Sequence, residues 1–398
     1  MDFEYSDKTK MLMSQIERFM DEEIYPNEAL AGEQVAASDD PHAMPEIVKE
    51  LQAKARDIGL WNLFLPDEEW GAGLTNMEYA PLCELMGRSP MAPRVFNCAA
   101  PDTGNAEILT EFGTPEQKQR YLKPLLDGEI RSCFSMTEPD VSSADPTELH
   151  TMAKRDGDEY VINGHKWFTS GAFGSEFAIL MACTNPEAPA HARHSQILVP
   201  TSTPGFNIVR AVSVMGHAGG GGHCEIRYED CRVPVSNVLG EEGSGFAIAQ
   251  ARLGPGRIHH CMRCIGVAQR SYEIMVNYAT NRKTRGIPLG EHQFVQDFIA
   301  TSKMEIDQAR LLTLYAAWKM DTVGKKEARQ EISMIKVVAV NVQQQVCDRA
   351  IQVLGALGVS DDTPIAGFWR NGRSLRIADG PDEVHKLVIA KRELKKYA

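Results

Sequence analysis

Two short segments of the chain carry the side chains whose types and spacing could do redox chemistry. They are Phe134-Ser135-Met136-Thr137-Glu138-Pro139 and Asn163-Gly164-His165-Lys166-Trp167-Phe168-Thr169-Ser170-Gly171-Ala172. A flat, amphipathic ring such as an isoalloxazine needs an aromatic or apolar plate against one face and hydroxyl or backbone N–H donors at its edge. Phe168 is the candidate plate, and Thr137 and Ser170 are the candidate donors. The bland reading is that both hydroxyls cap turns in a β-rich region. His259-His260-Cys261-Met262-Arg263-Cys264 invites a zinc or redox reading,. No second Cys or His pair stands at ligand spacing, so no metal is expected and the two thiols read as packing. Gly219 to Gly222 could cradle a phosphate, but without a following Lys-Ser/Thr they read as a β-turn,.

The elements that must position these residues change period along the chain. Residues 1–131 read as helices: Lys8 to Glu23 is periodic and is expected to stop at Tyr25-Pro26, Met44 to Ile58 repeats the pattern, and Thr114-Pro115-Glu116-Gln117 is a capped start,. Residues 132–242 switch to period two, as in His223 to Glu229, where Cys224, Ile226 and Tyr228 share one face,. An antiparallel β domain, a small barrel or sandwich, is expected there. Residues 243–398 return to helix, with one stripe through Ile299, Ser302, Ile306, Ala309, Leu312 and Ala316 and another through Ile335, Val338, Val342, Val346, Ala350 and Leu354, ended by Gly355,. Gly254-Pro255-Gly256 is expected to separate two helices of a four-helix bundle,. The fold class is α+β, in the order helical, β, helical.

At 398 residues and 43% apolar content the chain can bury large cores,. A formal charge of −12 argues against nucleic acid or an anionic membrane surface as partner,. Nine cysteines without a paired framework favour a reducing, cytoplasmic setting,. The acidic start Met1-Asp2-Phe3-Glu4-Tyr5 does not resemble a signal peptide,.

Taken together, the landmarks resemble the acyl-CoA dehydrogenase family over the whole chain. They include Gly113 to Lys118, Thr137-Glu138-Pro139, Lys166 to Ala172, Val233-Pro234, Gly245-Phe246, Arg282-Lys283-Thr284, Gln352 to Gly358 and Asp379-Gly380. The resemblance implies FAD as cofactor, with Phe134, Met136, Thr137, Ser143, Phe168, Thr169 and Ser170 around the flavin. Phe168 stands where the family has its stacking Trp, and Ser170 where it has Thr. Arg282 matches the family arginine that reaches the pyrophosphate of a neighbouring subunit, and Thr284, Gln293, Gln352, Gly355, Ala356, Pro381 and Glu383 match further cofactor positions. The resemblance therefore implies a homo-oligomer, dimer or tetramer.

Asp379 falls where the family keeps its catalytic base. The implied reaction is loss of an acyl thioester's α-proton to Asp379 with hydride transfer to flavin N5, giving a trans-2-enoyl-CoA. Ser143, Arg257 and Gly380 match substrate positions, and an electron-transfer flavoprotein is the implied acceptor. Three departures stand out. Asp140-Val141-Ser142-Ser143-Ala144-Asp145 replaces a glycine-rich loop, Gly256 removes an alternative Glu base, and Gly254 replaces an Asp that touches the pantetheine arm. Asp379 is also roughly 1.5 Å shorter in reach than a Glu. The Gly254 to His260 and Ile377 to His385 segments look most like the branch that in animals is fused to a phosphotransferase-like domain. A flavin oxidase on the same scaffold, nitroalkane-oxidase-like or acyl-CoA-oxidase-like, is the alternative.

Overall fold

The computed structural model describes residues 4–40, 42–142, 144–216 and 221–398. By packing, the chain divides into a helical unit of Met1–Pro26, Leu74–Pro93 and Gly254–Ala398 and a second unit of Asn27–Gly73 and Arg94–Leu253.

The second unit is built on a sheet of eight strands: β1 (Ser132–Ser135), β2 (Met152–Asp156), β3 (Glu159–Ser170), β4 (Phe177–Cys183), β5 (His194–Pro200), β6 (Phe206–Ala211), β7 (His223–Pro234) and β8 (Val238–Leu239). The pairing order is β6-β7-β3-β2-β4-β5-β8, with β1 on β4. The expected all-antiparallel sheet is corrected in two places, because β1 and one residue of β2 pair with β4 in parallel. Strand β4 is buried along its whole length, which is the pattern of a central strand rather than of a half-solvated hairpin,. Cys224, Ile226 and Tyr228 do share the core face. Thr114 and Gln117 form the capping box that their spacing predicts,.

In the helical unit, α1 (Asp7–Phe19) packs on α4 (Asn76–Gly87). Between them in sequence lie α2 (Tyr25–Ala37) and α3 (Glu46–Asp57), and α5 (Asp102–Phe112) follows α4; α3, α5 and α2 from Asn27 onward belong to the second unit. The long helices are α6 (Gly245–Asn281), α7 (Gln293–Val323) and α8 (Arg329–Leu354), followed by α9 (Ile365–Leu375) and α10 (Asp382–Leu394). The periodic stripes of α7 and α8 do face their cores, and Gly355, at φ 64°, ends α8.

Two expected helix breaks are absent. The chain stays helical through Tyr25-Pro26 because Met20–Ile24 forms a π turn. Glu22, four residues before the proline, lies in that wide turn, where the ring has room beside the backbone. The same device, Lys118–Leu122, precedes Pro124. Helix α6 likewise runs unbroken through Gly254-Pro255-Gly256. Gly254 and Pro255 are both buried, so packing along α6 outweighs a proline cost of roughly 3 kcal/mol,. Among the described residues, no helix is long and apolar enough to cross a membrane.

Candidate active site

The wall residues of the sheet unit are fixed by a bulge and a buried ion pair. Strand β3 carries one extra residue against β7 between Lys166 and Thr169, and Phe168 takes that strain with φ 50°,. The bulge turns its ring outward, 39% exposed, while Thr169 faces the core and hydrogen-bonds Ser135 at 3.1 Å. Trp167 meets the Phe168 ring edge-on at 5.0 Å between centroids. His223 supports the same corner from β7: its Nδ1 lies 2.7 Å from Ser170 Oγ and its ring 5.8 Å from that of Phe168.

Lys166, on the opposite face of β3, is fully buried. Its Nζ donates to Met136 O at 2.7 Å and to Glu138 Oε1 at 2.8 Å. Trp167 N–H donates to Thr137 O at 3.0 Å. The Glu138 carboxylate also accepts from the backbone N–H groups of His150 and Thr151, at 2.7 and 2.8 Å. Burial pulls the Lys166 ammonium down to about 8 against the opposing pull of Glu138. Burial raises the Glu138 carboxyl, but Lys166 and the N–H donors outweigh it and hold it below its usual range. The segment Met136-Thr137-Glu138 is thus anchored to β3 at three points. Met136 packs with Leu149, Met181 and Ala249, and Arg252 lies 4.1 Å over the Phe134 ring. Ser143 lies outside the described residues, as do Gly219 and Gly220; Gly221 and Gly222 have the positive φ of a turn. An outward aromatic plate beside the anchored Ser170 hydroxyl and the anchored Thr137 backbone fits one face and one edge of a flavin.

The carboxylate turn is in the helical unit. Asp379 has φ 57° and Gly380 φ 101°. Asp and Asn tolerate the left-handed region better than longer side chains do, which suits Asp at this position. The Asp379 carbonyl accepts from Arg257 Nε at 3.2 Å and from His385 Nε2 at 3.3 Å. Its carboxylate Oδ2 lies 3.1 Å from His260 Nε2, with both side chains about three-quarters buried. Around the turn, Lys336 Nζ donates to Leu375 O at 2.6 Å, and Arg376 pairs with buried Asp382 at 2.8 Å. Burial, with Arg257 and Lys336 nearby, drives His385 down to about 4, so its ring is neutral and donates to the carbonyl.

The stretch of α6 that carries His260 is itself clamped by α4. A Cβ on Gly87 would sit 2.4 Å from the Arg263 backbone, and one on Gly266 would sit 2.1 Å from Glu84 O. Tyr79 meets His259 edge-on at 4.9 Å. Cys261 and Cys264 are buried, and burial pushes the Cys264 thiol up to about 12, which supports packing as their role. Among the described residues no group of three or more His, Cys, Asp or Glu is placed to hold a metal.

The remaining predicted residues gather at the other end of α6. Arg282 and Thr284 sit on a hairpin, Lys283–Thr284 with Ile287–Pro288. Gln293 begins α7, and Gln352, Gly355 and Ala356 stand at the end of α8. One core, including Met275, Ala279, Val353, Leu354, Ile365 and Phe368, unites these ends. All six predicted side chains or backbone positions there are exposed, as is Glu383 at the start of α10. Sequence reasoning passed over His260, His385, Lys166 and His223 as site-builders. Only the His259-His260 pair carried a signal, and nothing in its spacing links it to Asp379.

Comparison with known proteins agrees along the whole chain. Residues 6–129, 133–231 and 243–394 match the N-terminal, middle and C-terminal domain models of acyl-CoA dehydrogenase. The probable acyl-CoA dehydrogenase FadE2 of Mycobacterium tuberculosis is 55% identical over 99% of this chain and 97% of its own length. Acyl-CoA dehydrogenase family member 10 of mouse is 48% identical over 98% of this chain, which spans 37% of that longer protein. A solved chain from Mycobacterium abscessus is 46% identical, with a TM-score of 0.96 over 100% of both chains. Butyryl-CoA dehydrogenase of Megasphaera elsdenii is 26% identical, with a TM-score of 0.84 over 99% of this chain and 100% of its own. PigA in complex with FAD is 25% identical, with a TM-score of 0.87 over 100% of both. The chain belongs to the acyl-CoA dehydrogenase family, an FAD-dependent oxidoreductase with that family's helical, β and helical order.

Proposed function

We propose that the protein oxidises an acyl-CoA thioester to its trans-2-enoyl-CoA, with Asp379 as the base. The observation that carries this reading is the Asp379 turn, whose carbonyl is held by Arg257 and His385 and whose carboxylate faces His260. A base must be aimed before it can work, since a misplacement of about 1 Å can cost on the order of a hundredfold. In the balanced step the α C–H bond breaks and its proton passes to the Asp379 carboxylate. The β-hydrogen leaves with its electron pair as the Cα–Cβ double bond forms. FAD, when bound, supplies the hydride acceptor at N5. Phe168 would support one ring face, and Thr137 and Ser170 would donate at its edge. Gly380 lets the turn close against His385, where a Cβ would lie 2.8 Å from Nε2. By the family resemblance we assign Ser143 to substrate and flavin contact, and Pro381 and Glu383 to cofactor contact.

Arg282, Thr284, Gln293, Gln352, Gly355 and Ala356 would hold the pyrophosphate and adenosine of a neighbouring subunit's FAD. At a rise of 1.5 Å per residue, Arg282 lies about 30 Å along α6 from His260, so the cation and the carboxylate serve different sites in one chain. Phe294, beside Gln293, is 83% exposed, which suits a surface covered in a homodimer or homotetramer,. An electron-transfer flavoprotein would reoxidise the cofactor, placing the enzyme in fatty-acid β-oxidation. Nine buried, unbridged cysteines suit a cytoplasmic setting,. We read the segments as domains at 1–131, 132–242 and 243–398.

The test is an anaerobic screen of acyl-CoA thioesters that follows loss of flavin absorbance near 450 nm. Bleaching by at least one thioester is expected, with slow reoxidation in air. Failure of every thioester would contradict the reading. Rapid reoxidation with hydrogen peroxide release would favour the oxidase alternative.

A further inference from the structure

The Asp379 carboxylate meets a side chain from a distant part of the sequence whose own orientation is fixed. Arg263 Nη2 lies 3.3 Å from His260 Nδ1, and a guanidinium can only donate, so Nδ1 is the acceptor,. The neutral ring then carries its proton on Nε2, which points at Asp379 Oδ2 at 3.1 Å,. Arg263, His260 and Asp379 form a directed chain: cation to imidazole to carboxylate. The helix crossing at Gly87 and Gly266 holds the α6 turn that carries both donors.

We propose that His260 is a positioning residue for Asp379, donating from Nε2 to aim the carboxylate and to keep it ionised until the α-proton arrives. This inference rests on the reading of Asp379 as the base. It also accounts for the shorter side chain. A carboxylate one carbon closer to its backbone works when the backbone is pinned by Arg257 and His385 and the carboxylate is set by a fixed donor.

The groups facing His260 are Asp379 from the turn before α10, Arg263 and His259 on its own helix, and Lys336 from α8. Burial lowers its proton affinity most, Arg263 and Lys336 add to that, and Asp379 opposes them. The ring therefore stays neutral at neutral pH and acts as a fixed donor rather than as a second base. A donor to the charged form lowers a carboxyl pKa, so its removal should raise the proton affinity of Asp379.

The test reads proton abstraction without flavin turnover. FAD-loaded protein is mixed in D2O with a 3-thiaacyl-CoA, whose β position is sulfur and carries no hydrogen, and α-proton exchange is followed by NMR across pH. His260→Leu should slow exchange at neutral pH by tenfold or more and move its acid limb up by about one pH unit. His260→Gln keeps an N–H near the Nε2 position and should restore the wild-type limb. Matching circular-dichroism melts exclude simple misfolding, and restoration by Gln carries the test if the Leu variant is unstable. If Asp379→Asn exchanges as fast as wild type, the base reading fails and this inference with it. If Asp379→Asn abolishes exchange but His260→Leu leaves the acid limb in place, or Gln fails to restore it, His260 does not position the base and only this inference falls.

Discussion

The wall around Phe168 and the turn around Asp379 are rigid for different reasons. The wall comes mainly from two short segments 30 residues apart: a one-residue bulge in β3 turns Phe168 out, and the buried Lys166–Glu138 pair ties Met136 to the same strand. The turn comes from residues scattered over α6, α8 and α10, where Arg257, His260, Lys336 and His385 converge on a stretch with little regular structure of its own. A binding surface can be encoded locally, because it needs only shape and donors. A base needs aim from several directions.

Removing one member of the buried pair should give the largest effect. Lys166→Met strands the Glu138 carboxylate, which should cost about 3–5 kcal/mol of stability, read from urea unfolding, together with FAD retention. An unchanged midpoint would mean that the wall is not held by the pair. Gly380→Ala comes next: φ 101° and a Cβ 2.8 Å from His385 Nε2 should cost about 1–3 kcal/mol and should slow flavin bleaching without weakening FAD binding,. Loss of FAD instead would merge the two regions into one functional element. Phe168→Ala should weaken FAD binding about tenfold in a fluorescence titration, the scale of a lost aromatic contact.

The smallest effect is a slope. Glu138 is held below its usual pKa, so the folded form binds fewer protons than the unfolded form as pH falls through the carboxylate range,. Its contribution is therefore fully present above the unfolded pKa and is lost as pH drops through the folded one. Urea midpoints of the wild type should fall more steeply from about pH 5 to 3 than those of Lys166→Met combined with Glu138→Gln. Equal slopes would remove Glu138 from the acid response.

Local codes were legible in the sequence where they act alone. The Thr114–Gln117 capping box, the alternation of β7 and the stripes of α7 and α8 formed as their spacing dictates. Pro26 and Pro255 did not break their helices, because a π turn and buried packing are effects that propensity cannot express. The same division runs through the site. Phe168 and Thr137 are candidates by type and spacing alone, whereas His260 and His385 come to notice only when the fold brings them to Asp379. In the His259–Cys264 run the cysteines are core, as their spacing suggests, while His260 faces a carboxylate from another segment, which local sequence cannot show.

One comparison separates the roles of Phe168 and Asp379 most directly. Wild type, Asp379→Asn and Phe168→Ala are each saturated with FAD and mixed anaerobically with the acyl-CoA that bleaches the wild type fastest, while absorbance near 450 nm is followed. With cofactor binding thus equalised, Phe168→Ala should bleach within about tenfold of the wild-type rate, whereas Asp379→Asn should fall by a thousandfold or more, within the range of about 10² to 10⁴ expected for loss of a general base. Bleaching of Asp379→Asn at the wild-type rate would contradict the assignment of the chemistry to that carboxylate.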